Sequence, residues 1–229
     1  MCIIAVSARG QRQPTNEELI NMFFANPHGA GYMTARNGKV KIRKGFMTLT
    51  EYVKALETEN FTADDPVVYH FRISTQAGIT PSMTHPFPLV HDIKDTRELD
   101  ATCDIGLAHN GIISMTTNHA DRDYSDTAHF IAEYANRLIR TPADLHDPAI
   151  MQMIEKLTAS KWAIMDGTGY IATAGKFTEH DGILFSNDSF RPSRFTLAPV
   201  KVTRKPEKIY KPYRNKWDVW ADDDWYDRF

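Results

Sequence analysis

Cysteine is scarce in this chain: only Cys2 and Cys103 occur among 229 residues. Two thiols cannot build a disulfide scaffold and fall short of the usual four-ligand zinc pattern. A reducing, cytoplasmic setting is therefore expected. Long hydrophobic runs are missing too. No stretch approaches the roughly 20 apolar residues that span a bilayer, so no membrane role is expected. The opening segment from Met1 to Arg12 lacks a basic start, and its apolar run is too short for a signal peptide. Charge of one sign is also absent. Lys plus Arg is 27 and Asp plus Glu is 29, for a formal net charge of -2. Without a global basic field, nucleic acid is not an expected partner. The histidines include no His-x-x-x-His pair on a helix, so no metal is assigned, and no cofactor is expected. Gly29-x-Gly31 lacks a following phosphate-loop pattern and reads as strand geometry.

What is present is a globular composition, with 42% hydrophobic and 24% charged residues, which excludes wholesale disorder. The length allows one large domain or two small ones. A strand is expected from Cys2 to Ser7. Thr15-x-x-Glu18 forms a capping box that predicts a helix from about Asn16, ended by Asn26-Pro27. Asn37-Gly38 joins Tyr32–Arg36 to Lys39–Arg43 in a hairpin. Thr48-x-x-Glu51 opens a second capped helix to about Glu59. Val67 to Ile73 reads as a strand, residues 74–104 as a long functional loop region, and Ile105 to His109 as a short strand. Ser125 or Asp126 caps a helix to about Arg140, with Ala128, Ile131, Ala135 and Leu138 on one face. A helix over about Pro148 to Ala159 precedes strands at Lys161–Met165, Gly169–Thr173 and Gly182–Phe185. Two β-rich stretches separated by helices predict sheets with helices packed outside.

The composition changes near Lys201, so we divide the chain into residues 1–200 and an extension, 201–229. A basic stretch to Lys216 gives way to Asp218, Asp222, Asp223, Asp224 and Asp227, interleaved with Trp217, Trp220, Trp225, Tyr226 and Phe229. Such an aromatic tail can dock on a partner or on a second copy, or fold back on its own domain.

Cys2 has two readings. As a small apolar residue it fits the interior of a first strand. As residue two it is expected to become the N-terminus when the initiator methionine is removed. One residue then carries a thiol with a pKa of about 8.5 and an α-amine of about 7.7–8.0. The amine, substantially neutral near pH 7, can take the thiol proton, which is the logic of an N-terminal nucleophile.

The middle of the chain bears on that choice. It reads His70-Phe71-Arg72-Ile73-Ser74-Thr75, then His85-Pro86-Phe87, then His109-Asn110-Gly111, then Ser125-Asp126-Thr127, then Ser186-Asn187-Asp188-Ser189-Phe190. In this order, and with Cys2, these segments resemble the class II glutamine amidotransferases, in a stand-alone form. The resemblance runs from residue 2 to about 190. It implies an α+β fold, the four-layer αββα sandwich of the N-terminal nucleophile hydrolases. It also implies a glutaminase that hydrolyses the side-chain amide of glutamine through a Cys2 thioester, releasing ammonia to a separate acceptor enzyme.

The roles it implies are physical ones. Asn110, through its side chain, and Gly111, through its backbone N–H, would form the oxyanion hole. Arg72 would pair with the substrate carboxylate and Asp126 with its ammonium, fixing the amide carbon near the sulfur. Thr75 and His85 would shape the pocket. Each has an ordinary alternative: a structural ion pair for Arg72, a helix cap for Asp126, hydrogen-bonded core histidines for His85 and His109, the last favoured for His109. Cys103 reads as a buried or loop thiol. Gln76-Ala77-Gly78 is longer than the family's turn at that place, and no Asn precedes His85-Pro86-Phe87. Another γ-glutamyl amide is therefore an alternative substrate, and a catalytically silent binding module an alternative function. A separate synthetase subunit, or a second copy met through the tail, is the expected partner.

Overall fold

The first strand, β1 (Ile3–Ser7), is buried at every position, yet its side chains part by the two-residue period of a strand. Ile3 and Ala5 enter one core, Ile4 and Val6 another. A strand that serves two cores must lie inside a sheet covered on both faces, which is why its sequence is a continuous apolar run. The computed structural model describes residues 1–74, 78–116 and 123–192. The boundary expected at 200/201 and the aromatic tail lie outside these.

Next come α1 (Asn16–Ala25), β2 (Ala30–Arg36), β3 (Lys39–Phe46), α2 (Leu49–Glu59) and β4 (Val67–Phe71). Both helices begin with the capping boxes read from sequence: Thr15 with Glu18, and Thr48 with Glu51. Then follow β5 (Phe87–Pro88), β6 (Asp100–Cys103) and β7 (Ile105–Asn110). The helix after them is α3 (Asp126–Phe130), which passes through a π-helical turn at Ile131–Ala135 into α4 (Asn136–Leu138). Last are α5 (Pro148–Thr158), β8 (Lys161–Asp166), β9 (Ile171–Ala174), β10 (Thr178–His180) and β11 (Ile183–Phe185).

The chain is a mixed α+β protein with two antiparallel sheets. The larger has the order β10-β11-β1-β4-β2-β3-β6, the smaller β5-β7-β8-β9. Leu19, Met22 and Phe23 of α1 and Tyr52 and Ala55 of α2 pack against Ile3, Tyr32, Tyr69 and Phe71 of the larger sheet. Phe130, Ile131 and Ile154 pack against Leu107, Trp162 and Ile164 of the smaller one. A third core, with Ile4, Val6, Met33, Val68, Ala108, Ala163 and Met165, draws on strands of both sheets.

Three short strands depart from the sequence reading. β5 and β6 lie inside the stretch expected to be loop, and β10 has no counterpart in it. β6 (Asp-Ala-Thr-Cys) and β10 (Thr-Glu-His) are edge strands with largely polar residues. An edge needs little apolar alternation, so hydrophobic periodicity does not reveal it. No helix among the described residues is long and apolar enough to cross a membrane.

Gly31 lies in β2 opposite His70. A Cβ there would run into the His85 carbonyl oxygen and come within 2.9 Å of the Arg43 carbonyl and 2.7 Å of Lys44 Cβ. Two of these neighbours are backbone and cannot swing aside. Gly31→Ala is expected to destabilise the fold by about 1–3 kcal/mol, read as a lowered urea midpoint; an unchanged midpoint would show that this close approach is not a constraint.

Candidate active site

Register explains how the first residues of the site meet. In the β1–β4 pair Ile3 faces Phe71 and Ile4 faces His70. Continuing that register by one residue sets Cys2 opposite Arg72. The period of two keeps Cys2 on the face of Ile4 and Val6, and Arg72 on the face of Val68 and His70. In β7 the same rule groups Gly106, Ala108 and Asn110. A Cβ on Gly106 would lie 2.7 Å from Met33 Sδ of the larger sheet, so this face of β7 looks toward that sheet. Asn110 ends it and meets the larger sheet through Ser186.

Cys2 is half-buried. Its Sγ accepts the Ile73 N–H at 3.4 Å and lies 3.6 Å from the Ile73 carbonyl oxygen. Burial raises the thiol pKa; the Ile73 N–H, the Arg72 guanidinium and the chain terminus pull it down, without cancelling the rise. Met1 is 75% exposed. While it is attached, the Cys2 nitrogen is an amide and cannot act as a base.

Arg72 is 5% exposed. It donates to the Gly78 carbonyl at 3.1 Å and to Ser74 Oγ at 3.3 Å. Among the described residues no carboxylate lies at ion-pair distance from it. Burial lowers its pKa, and the Cys2 thiol and the Asp126 carboxylate, both within electrostatic reach, raise it. An arginine stays charged in such a place. The site thus holds a nearly enclosed cation, with donors that have no partner among the described residues, flanked by a thiol and, farther off, a carboxylate.

Asp126 is the first residue of α3. The N-cap is Ser125, whose hydroxyl accepts the Ala128 N–H at 3.2 Å. The Asp126 carboxylate instead accepts the Ile113 N–H and the Thr127 N–H, each at 2.8 Å. It therefore steadies the chain just beyond Asn110 and Gly111. Gly111 is required by crowding: a Cβ would collide with Ser160 Oγ and sit 2.7 Å from Ser160 Cβ. Thr75 lies outside the described residues.

Behind this group three histidines converge that look scattered in the sequence. His70 Nε2 lies 3.0 Å and His85 Nδ1 3.1 Å from the His109 carbonyl oxygen. The His70 and His85 rings are 4.3 Å apart. His109 Nδ1 meets Thr127 Oγ1 at 2.8 Å, and its ring packs on Trp162 at 4.4 Å. All three are buried. Loss of hydration holds the His70 and His109 pKa values down at about 3 and pushes His85 well below its ordinary value. The rings are neutral near pH 7 and brace the strand that ends in Asn110. Among the described residues no group of three or more His, Cys, Asp or Glu is arranged to hold a metal ion.

The sequence reading left four contributors without a role. Ser186 Oγ accepts the Ile4 N–H at 2.8 Å and lies 2.9 Å from the side-chain amide of Asn110. The neighbouring Asn187 donates to the Cys2 carbonyl at 2.6 Å. His28 Nδ1 accepts the Ser74 N–H at 2.8 Å, which steadies the chain after Arg72. Lys44 is buried, donates to the carbonyls of Ser82 and Thr96 at 3.0 and 2.6 Å, and sits 3.8 Å above the Phe87 ring. It pins the segment that carries His85. A lysine at alternating depth in a strand gives no hint of this, because its partners are carbonyls of a distant loop. Cys103 stands apart, at the end of β6. It donates to the Ile105 carbonyl at 3.1 Å, and burial pushes its pKa to about 12, so it is an inert thiol near pH 7.

No family model matches the chain, and no curated protein matches it.

The histidines make a pH prediction. The unfolded chain takes up protons on them below about pH 6.5, while folded His70 and His109 refuse them down to about pH 3. Stability from this source is complete above about 6.5 and is lost as pH falls toward 3. The slope is up to about 1.4 kcal/mol per pH unit for each such histidine. Urea midpoints measured from pH 7 to 5, above most carboxylate titration, are expected to fall, and to fall less steeply in His70→Gln. Equal slopes in the two proteins would remove His70 from this account.

Proposed function

We propose that this chain is a stand-alone glutaminase of the class II amidotransferase type, with the four-layer αββα arrangement of the N-terminal nucleophile hydrolases. What supports the arrangement is the set of three cores: one between helices and the larger sheet, one between helices and the smaller sheet, and one shared by the two sheets. The observation that carries the chemistry is Arg72, a buried guanidinium without a carboxylate at ion-pair distance among the described residues, beside a thiol. Burying an uncompensated charge is costly. Its use here is to receive the α-carboxylate of an amino acid in a two-pronged pair. Asp126 takes the α-ammonium, and the side-chain amide is thereby carried to Cys2.

In this reading Met1 is removed and the Cys2 α-amine takes the thiol proton. The thiolate adds to the amide carbon, and the carbonyl electron pair moves onto oxygen. Asn110 and the Gly111 N–H hold that oxyanion. When the electron pair returns, the C–N bond breaks and ammonia leaves with the proton from the α-ammonium of Cys2. Water then cleaves the thioester by the same path, giving glutamate. The neutral histidines place no competing positive charge beside Arg72. Ammonia passes to an acceptor enzyme or into solution. A partner held by residues 201–229 belongs to the same proposal.

Two measurements test it. Mass spectrometry is expected to find Cys2 as the first residue of the active protein. Glutamate release is expected from glutamine, lost in Cys2→Ala with substrate binding kept, and lowered on the order of 10²–10³-fold in kcat for Asn110→Ala. Turnover of another γ-glutamyl amide with glutamine inert would move the assignment to that amide. Retained Met1 with no labelling of Cys2 by a glutamine-like electrophile would mark a silent binding module.

A further inference from the structure

Hydrogen-bond counting at Ser186 leads beyond this reading while resting on it. Ser186 is 1% exposed and Asn110 3% exposed. The serine hydroxyl has one hydrogen to give and two lone pairs to receive. One lone pair is taken by the Ile4 N–H at 2.8 Å, a group that can only donate. Among the described residues the remaining hydrogen-bonding neighbour is the Asn110 side chain at 2.9 Å. If the Asn110 nitrogen faces Ser186, the hydroxyl receives two hydrogens and its own has no acceptor. The Asn110 oxygen is then buried with no donor among the described residues. Turning the amide over, a change that leaves every heavy-atom position almost the same, gives the hydroxyl hydrogen its acceptor and removes the unpaired oxygen. Ser186 then donates to the Asn110 oxygen, and the Asn110 nitrogen takes the buried position away from Ser186 with no acceptor among the described residues. An unpaired buried acceptor is replaced by an unpaired donor, which is the polarity a developing oxyanion needs.

We infer that Ser186 is a positioning residue for the reaction: its hydroxyl, polarised by the Ile4 N–H, holds the Asn110 amide with nitrogen toward the reacting carbonyl. The same hydroxyl ties that donor to the strand carrying the nucleophile, since Ile4 is two residues from Cys2. The Ser186 N–H also bonds the Ile4 carbonyl at 2.9 Å, and Lys161 Nζ donates to the Ser186 carbonyl. The backbone of Ser186 is thus held independently of its side chain, so removing the hydroxyl alone acts mainly on Asn110.

Neutron diffraction from the deuterated protein reads the orientation directly. The expected map has a deuteron on Ser186 Oγ directed at Asn110 and two deuterons on the Asn110 atom that faces away. Deuterons of Asn110 directed at Ser186 Oγ would overturn the inference. Kinetics reads its consequence. Ser186→Ala is expected to lower kcat for glutamine on the order of 10-fold or more, approaching the loss seen on removing the donor itself. KM and the rate of Cys2 alkylation by iodoacetamide, a displacement that forms no oxyanion, stay near wild type. Ser186→Thr keeps most of kcat. In an Asn110→Ala background, Ser186→Ala adds little, because the two act as a unit. Full additivity, or equal losses in alkylation and hydrolysis, would show that Ser186 acts by placing β1 instead. Should the wild-type protein release no glutamate while the neutron map shows the stated orientation, the glutaminase reading fails and the orientation stands. With turnover present and Ser186→Ala unaffected, the positioning role fails and the glutaminase reading survives.

Discussion

The antiparallel register of β1 against β4 is the constraint on which the rest of the site depends. It sets the second residue of the chain across from Arg72 and turns both toward the space between the sheets. A slip of one residue would send Cys2 to the helix-covered face, because every side chain of a strand changes sides together. The register is held from two directions. Apolar side chains of β1 are needed in both adjoining cores, and the turn at Ser186 and Asn187 bonds the Ile4 amide and the Cys2 carbonyl. Thiol, guanidinium and carboxamide are therefore located by backbone pairing of strands, with little left to loop geometry.

Around that frame, polar groups are buried in large number and are mostly neutral or hydrogen-bonded to backbone. The His70, His85 and His109 rings lose their charge to desolvation; His70 and His85 use a ring nitrogen on the strand that ends at Asn110, and His109 uses one on Thr127 of α3. Lys44 spends its ammonium on loop carbonyls and an aromatic face. The interior thus spends its buried polar groups on holding a strand end and a loop in place. Asp126 contributes in the same way, by receiving the Ile113 N–H beyond Gly111. Such support fixes the orientation of the groups at the strand end, which a freely rotating side chain would lack.

Much of the architecture was legible in the sequence where local rules govern. The capping boxes at Thr15 and Thr48 satisfy helix amides from within four residues, so they announce themselves. The Asn37-Gly38 hairpin does the same, with both residues at positive φ. The apolar runs of β1, β4 and β8 mark strands buried on both faces. Less legible were β6 and β10, whose edge positions ask little of their side chains. The π-helical turn at Ile131–Ala135 was likewise hidden, because the apolar spacing of Ala128, Ile131, Ala135 and Leu138 suits an ordinary helix equally well.

By itself, the sequence determined which residue types were on hand for chemistry and in what order they come: a thiol at position two, then Arg72, His85, Asn110 with Gly111, and Asp126. Side-chain parity along each strand was also contained in it. Only the tertiary structure decided which strands lie side by side. It made Arg72 a buried cation without an ion-pair partner among the described residues, gathered the His70 and His85 rings at the His109 carbonyl, and brought Ser186 between Ile4 and Asn110. The physical reason is that burial and hydrogen-bond partnership are properties of neighbours in space. Over separations such as the 182 residues from Ile4 to Ser186, no local rule of propensity or spacing carries that information.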